Sequence, residues 1–192
     1  MVDTLGSTCS PAEPDEGLGR SMGVLHDYFR AANHKAALGV LEAPAGPLVP
    51  DDTGRTPFDG IDAKGVDPNV VLGQLVAIVR NTQWTTETVT TTSVWPPPDT
   101  APATLDEAMT LPEDSPWSTG PWVMELDDQT HATLADIADS QCARLAAQWA
   151  QIEEFDYDDG VEDMLTTLVA DLSHLARRAR EAGHRLYCWT CL

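Results

Sequence analysis

Two thiols three residues apart, in the run Cys188-Trp189-Thr190-Cys191, are the feature of this chain that most resembles a reactive or metal-binding site. Paired thiols at that spacing recur as redox couples and as zinc half-sites. The flanking residues argue against both uses. In a thiol oxidoreductase the pair opens a helix whose N-terminus stabilises the thiolate, whereas the run Arg185 to Leu192 reads as a strand. On a strand, residues three apart face opposite sides, so one metal or one disulfide joins them only where the backbone turns. A structural zinc site also wants four ligands, and His184 is the one further ligand close by in sequence. The expectation is therefore that both thiols pack as small hydrophobes and that no cofactor is bound. A metal or thiol site built from Cys188, Cys191 and His184 is the alternative.

The run Glu153-Glu154-Phe155-Asp156-Tyr157-Asp158-Asp159-Gly160 looks like a calcium loop, but the pattern fails. Aligning Gly160 with the invariant glycine of an EF-hand puts Phe155 and Tyr157 where carboxylates must coordinate, and Thr166 where the bidentate glutamate belongs. The functional reading is a contact patch in which Glu153, Glu154, Asp156, Asp158 and Asp159 meet basic side chains of a partner. The competing reading is a solvated interhelical loop whose two aromatics turn into the core. Trp117 is the tryptophan expected to be exposed and available for contact. His26, His34, His131, His174 and His184 are dispersed, and no two share helical ligand spacing. Arg177, Arg178, Arg180 and Arg185 either bind an anion or complement a helix end and offset acidic surface. Walker A, GxSxG and HExxH motifs are missing, which removes the common signatures of phosphate binding, acyl transfer and zinc proteolysis without excluding an enzyme.

The net charge of -20 over 192 residues is the largest departure from an average composition. Between Asp99 and Asp163 every charged residue except Arg144 is acidic. A surface of that sign repels nucleic-acid backbones and anionic lipid, while it draws in and accelerates a basic partner. Solubility alone is the other use of such charge. With 42% apolar residues the chain can still build a core. No stretch approaches the roughly 18 apolar residues of a membrane span, and neither a leader nor a disulfide framework is evident, so a cytoplasmic protein with reduced thiols is expected.

The elements that must position these residues suggest one α+β domain over 22–192, after a disordered tail at 1–21; translation from Met22 is a side hypothesis. Val24 to Ala31 suits a strand, although Val24, Leu25, Tyr28, Phe29 and Ala32 would also line one helix face. Asn33 caps a short helix from His34 to Glu42, and a loop follows to Gly65. Asp67 and Pro68 open a helix carrying Leu72, Leu75, Val76 and Val79. The Thr86 to Trp95 run reads as an edge strand. Seven of the 14 prolines fall in a Pro-rich loop at 96–121, expected to be stiff and extended, with one short helix capped by Thr104 and Glu107. Trp122 to Leu126 reads as a central strand. Asp128 caps a helix running to Ile152 with a break near Ser140, and Asp159 caps a helix that Gly183 stops. The whole predicts a small, mostly antiparallel sheet packed by three main helices.

These readings favour a protein-binding module, such as an inhibitor or immunity-type protein for a basic partner. An enzyme or metal/thiol-dependent protein using the Cys188 and Cys191 pair is the competing class.

Overall fold

A computed structural model describes residues 24–43, 45–155 and 161–192. The expected tail at 1–21, Met22 and the acidic residues Asp156, Asp158 and Asp159 lie outside the described residues.

The fold is α+β. Five antiparallel strands, β1 (Leu25–Ala31), β2 (Gly60–Asp62), β3 (Thr91–Trp95), β4 (Trp122–Leu126) and β5 (Arg185–Cys191), form one sheet in the order β2-β1-β5-β4-β3. The last strand in sequence is thus the central one. It is buried from Leu186 to Cys191, and such a strand reads as a nearly continuous apolar run because both its faces are covered.

Leu186 and Cys188 join the larger core, where α2 (Val71–Arg80), α5 (Asp128–Ala135), α6 (Cys142–Trp149) and α7 (Val161–Ala182) cover one face of the sheet. Tyr187, Trp189 and Cys191 join a second, smaller core on the opposite face. That face is covered by α1 (His34–Ala37), a 3-10 turn over Leu38–Glu42 and the segment leading to β2. Phe58 packs on Phe29 with ring centroids 4.7 Å apart. Gly46, at φ +99°, lies so close to the Trp189 indole that a Cβ there would sit 3.0 Å from the ring.

Local chemistry explains the boundaries. Asn33 accepts from the Ala36 amide and opens α1 as expected. Asp67 accepts from the amides of Asn69, Val70 and Val71, so it organises the turn that leads into α2. Asn81, in the left-handed region, closes α2. At the end of α7, Gly183 (φ +65°) lets the His184 amide donate back to the Ala179 carbonyl.

Several expectations are corrected. The loop to Gly65 contains β2, whose three residues are too short to show alternation. β3 starts at Thr91 rather than Thr86, because Thr85 to Thr88 close a hydrogen-bonded turn. The helix expected from Asp128 to Ile152 does break near Ser140, at a 3-10 turn over Asp139–Gln141, but its N-cap is Asp127 rather than Asp128, accepting from the Thr130 amide, and its second half ends at Trp149. Four helices rather than three therefore pack the main face. The 96–121 segment is not extended: it holds a 3-10 turn (Pro98–Thr100) and the short helices α3 (Leu105–Met109) and α4 (Pro116–Thr119). The Thr104 hydroxyl accepts from the Glu107 amide, and the Glu107 carboxylate accepts from the Ala103 amide.

Candidate functional site

The sheet topology sorts the charged residues to two ends. At one end β1 finishes, β2 begins, β4 finishes and β5 begins; α7 delivers its last turns there because it runs directly into β5. At the other end β1 begins, β4 begins, β3 runs into the 96–121 arm, and the chain turns from α6 into α7. The 22 residues of α7 separate the two ends by about 33 Å at 1.5 Å per residue.

The first end is rich in arginine, and its charges are paired. Asp59 accepts from Arg178 Nε at 2.8 Å and Nη2 at 2.7 Å, and from Arg30 Nε at 2.7 Å. These guanidinium hydrogen bonds, led by Arg178, hold the Asp59 carboxyl down at about 2. Arg177 pairs with Asp139 at 2.8 Å and Arg180 with Asp136 at 2.7 Å. Glu125, nearly buried on β4, is engaged through Oε2 by His34 and through Oε1 by Arg185, which also approaches Asp128 at 3.7 Å. Tyr187 lies beside Glu125 in register on β5, and burial pushes its hydroxyl well above the ordinary phenol range. Both oxygens of Glu125 are occupied from within the fold, so this cluster acts as a clamp holding α1 and the start of β5 on the sheet.

The second end is rich in carboxylates, and they are left over. Asp99, Asp106, Glu107, Glu113 and Asp114 belong to the arm, Glu153 and Glu154 precede α7, and Glu162 and Asp163 open it. None of these nine takes part in an ion pair among the described residues. Separately from these nine, partway along β1, burial and the charge of Asp62 directly opposite on β2 push Asp27 up to about 7. The arginines at the end of α7 cannot neutralise the carboxylates at its start, since about 33 Å is roughly four Debye lengths at physiological salt.

The sequence-predicted residues are placed as follows. Glu153 and Glu154 are exposed, and Glu154 accepts from Gln74 at 2.7 Å. Phe155 turns inward, edge-on to Trp149 with centroids 5.2 Å apart. Trp117 is half-buried, and its indole donates to the Thr100 hydroxyl at 3.0 Å. The arm instead exposes Leu105 and Met109, at 76% and 77%. Cys188 and Cys191 sit in cores on opposite faces of the sheet, and His184 pairs with Arg30 at 3.1 Å, so the structure does not bring the three together. Cys142 and Cys188 are free and buried, and burial pushes Cys188 up to about 12. Cys191 is disulfide-bonded, which corrects the expectation of reduced thiols at that position. Arg177, Arg178, Arg180 and Arg185, read as an anion site or as an offset to acidic surface, each hold a carboxylate of the chain itself, which is the second of those uses.

Sequence reasoning missed Glu125, His34 and Asp59. Partners 91 and 119 residues apart leave no local spacing to read. It also treated the run Asp99 to Asp163 as one patch, whereas the fold sends Asp128, Asp136 and Asp139 to the arginine end. Among the described residues no helix is long and apolar enough to cross a membrane, and no group of three or more metal-ligating side chains converges. Compared with known proteins, the chain matches no family model, no curated protein and no solved structure.

Proposed function

We propose that this chain is a protein-binding module that receives a basic protein at its carboxylate-rich end, in the manner of an inhibitor or immunity-type protein. The observation that carries this reading is the segregation of charge. Arginines are matched with carboxylates at one end, while at the other the carboxylates of the arm and of the start of α7 take part in no ion pair among the described residues. A field of that sign steers a basic partner and rejects nucleic acid and anionic lipid by the same Coulombic term.

The experiment is capture at low ionic strength. The immobilised chain retains a basic protein that elutes as salt is raised. Replacing Asp156, Asp158 and Asp159 with Asn, together with Glu153→Gln and Glu154→Gln, slows its association at least about tenfold. Recovery of no basic partner at low salt overturns the proposal.

A further inference from the structure

We infer that α3 of the 96–121 arm is the apolar anchor of the carboxylate-rich end, and that it docks a basic amphipathic helix of the partner through Leu105 and Met109. This inference rests on the binding-module reading and adds to it the place and the chemistry of contact.

Leu105 and Met109 are the two most exposed large hydrophobic residues of the described chain, at 76% and 77%. They stand four apart on α3, so their side chains share one face roughly 6 Å apart. That is the spacing at which apolar residues repeat along one stripe of a partner helix. The methionine is flexible and polarizable, which suits it to an adaptable contact.

The arm is built to present this face rather than to hide it. A helix of five residues is too short to persist alone, yet α3 is held by reciprocal capping: Thr104 accepts from the Glu107 amide at 3.2 Å and Glu107 from the Ala103 amide at 2.7 Å. The Trp117 indole, donating to Thr100 at 3.0 Å, ties the far limb of the arm back to its root.

Charge then selects the occupant. Asp106 and Glu107 lie within α3, and Asp99, Glu113 and Asp114 flank it. From Asn81 to Ala143 the chain has no lysine or arginine. A second copy of this chain, at net charge -20, is repelled from such a surface. The chain's own segment 1–23, with Asp3, Glu13, Asp15 and Glu16 against Arg20, is also net acidic. A helix with lysines or arginines along one side and leucine-like residues along the other satisfies both the carboxylates and the two exposed side chains.

The test uses the full chain and two fluorescent 18-residue peptides of identical leucine and lysine content. In one the leucines repeat at helical spacing; in the other they are scattered around the helix. Anisotropy at low salt is expected to show tighter binding of the amphipathic peptide. The double variant Leu105→Ala with Met109→Ala should weaken it at least about tenfold, with the salt dependence and Tm unchanged, and the Met109 methyl resonance should shift on titration. Binding by the double variant within about twofold of the parent, with the amphipathic preference intact, overturns the anchor and leaves the carboxylate reading standing. Equal binding of the two peptides to the parent chain overturns the anchor in the same way. Binding of neither peptide at low salt overturns both readings.

Discussion

Two neighbouring regions of this sheet handle carboxylates in opposite ways. Asp59 sits where two arginines donate to it, and its carboxyl is held near 2; Asp27 faces another aspartate across adjacent strands and is pushed up to about 7. The same side chain is thus a stabilising anion in one place and a reluctant one about 10 Å further along the strands. The difference lies in what the topology brings opposite each: the end of α7 supplies guanidinium groups to Asp59, and β2 supplies a second carboxyl to Asp27. Ion pairs at the arginine end fasten α7 and α1 to the sheet, and the carboxylates of the arm and of the start of α7 take part in none among the described residues.

The comparison breaks most visibly at the buried clamp. Glu125→Ala leaves Arg185 and His34 without their shared acceptor, and the expected loss is about 2–4 kcal/mol, measured by denaturant unfolding. An equal stability of parent and variant would mean that the arginine end is not fastened by its ion pairs.

Asp27→Asn should act in the other direction. The folded-state pKa is raised, so the native protein holds its proton more tightly than the unfolded chain between about pH 4 and 7. Stability conferred by the protonated group is full below about 4 and is lost as the pH rises through 7. The variant removes that loss and is expected to gain about 1–3 kcal/mol at pH 8, after discounting for partial exposure. A pH profile identical to the parent's would contradict the assignment.

For Asp59 the sign reverses. Its folded pKa is depressed, so its contribution is present above about pH 4 and is lost as the pH falls through 2. Asp59→Asn is expected to cost about 1–2 kcal/mol at pH 7, the pair being one-third exposed, and to flatten the acid limb of the unfolding profile. The smallest effect belongs to the arm: Glu113→Gln with Asp114→Asn should leave stability within about 0.5 kcal/mol while slowing capture of a basic protein.

Much of the fold was legible because its signals are local. The α7 stripe of Leu165, Leu172 and Leu175, the Gly183 stop, the Asn33 and Asp67 side-chain caps and the β-branched and aromatic content of β1 are all read within a few residues. Charge sorting was not legible, since it depends on pairs such as Asp59 with Arg178 that only the sheet order brings together. The acidic stretch from Asp99 to Asp163 reads as one surface along the chain. In space, α5 and the turn after it carry Asp128, Asp136 and Asp139 to the arginine end. Aromatic exposure was misjudged for a related reason: a tryptophan in a Pro-rich segment reads as exposed, but Trp117 meets Thr100, and the exposed large apolar residues of the arm are Leu105 and Met109 of α3.

The central claim, that uncompensated carboxylates at one end attract a basic protein, is tested most directly by association kinetics across a salt series. One variant carries Glu153→Gln, Glu154→Gln, Glu162→Gln and Asp163→Asn; a control of equal charge change carries Asp128→Asn, Asp136→Asn, Asp139→Asn and Glu181→Gln at the arginine end. The first is expected to slow association at low salt at least about tenfold and to flatten its salt dependence, with the control within about twofold of the parent. Equal slowing by both variants would show that net charge alone, and not its placement, governs the encounter, contradicting the account.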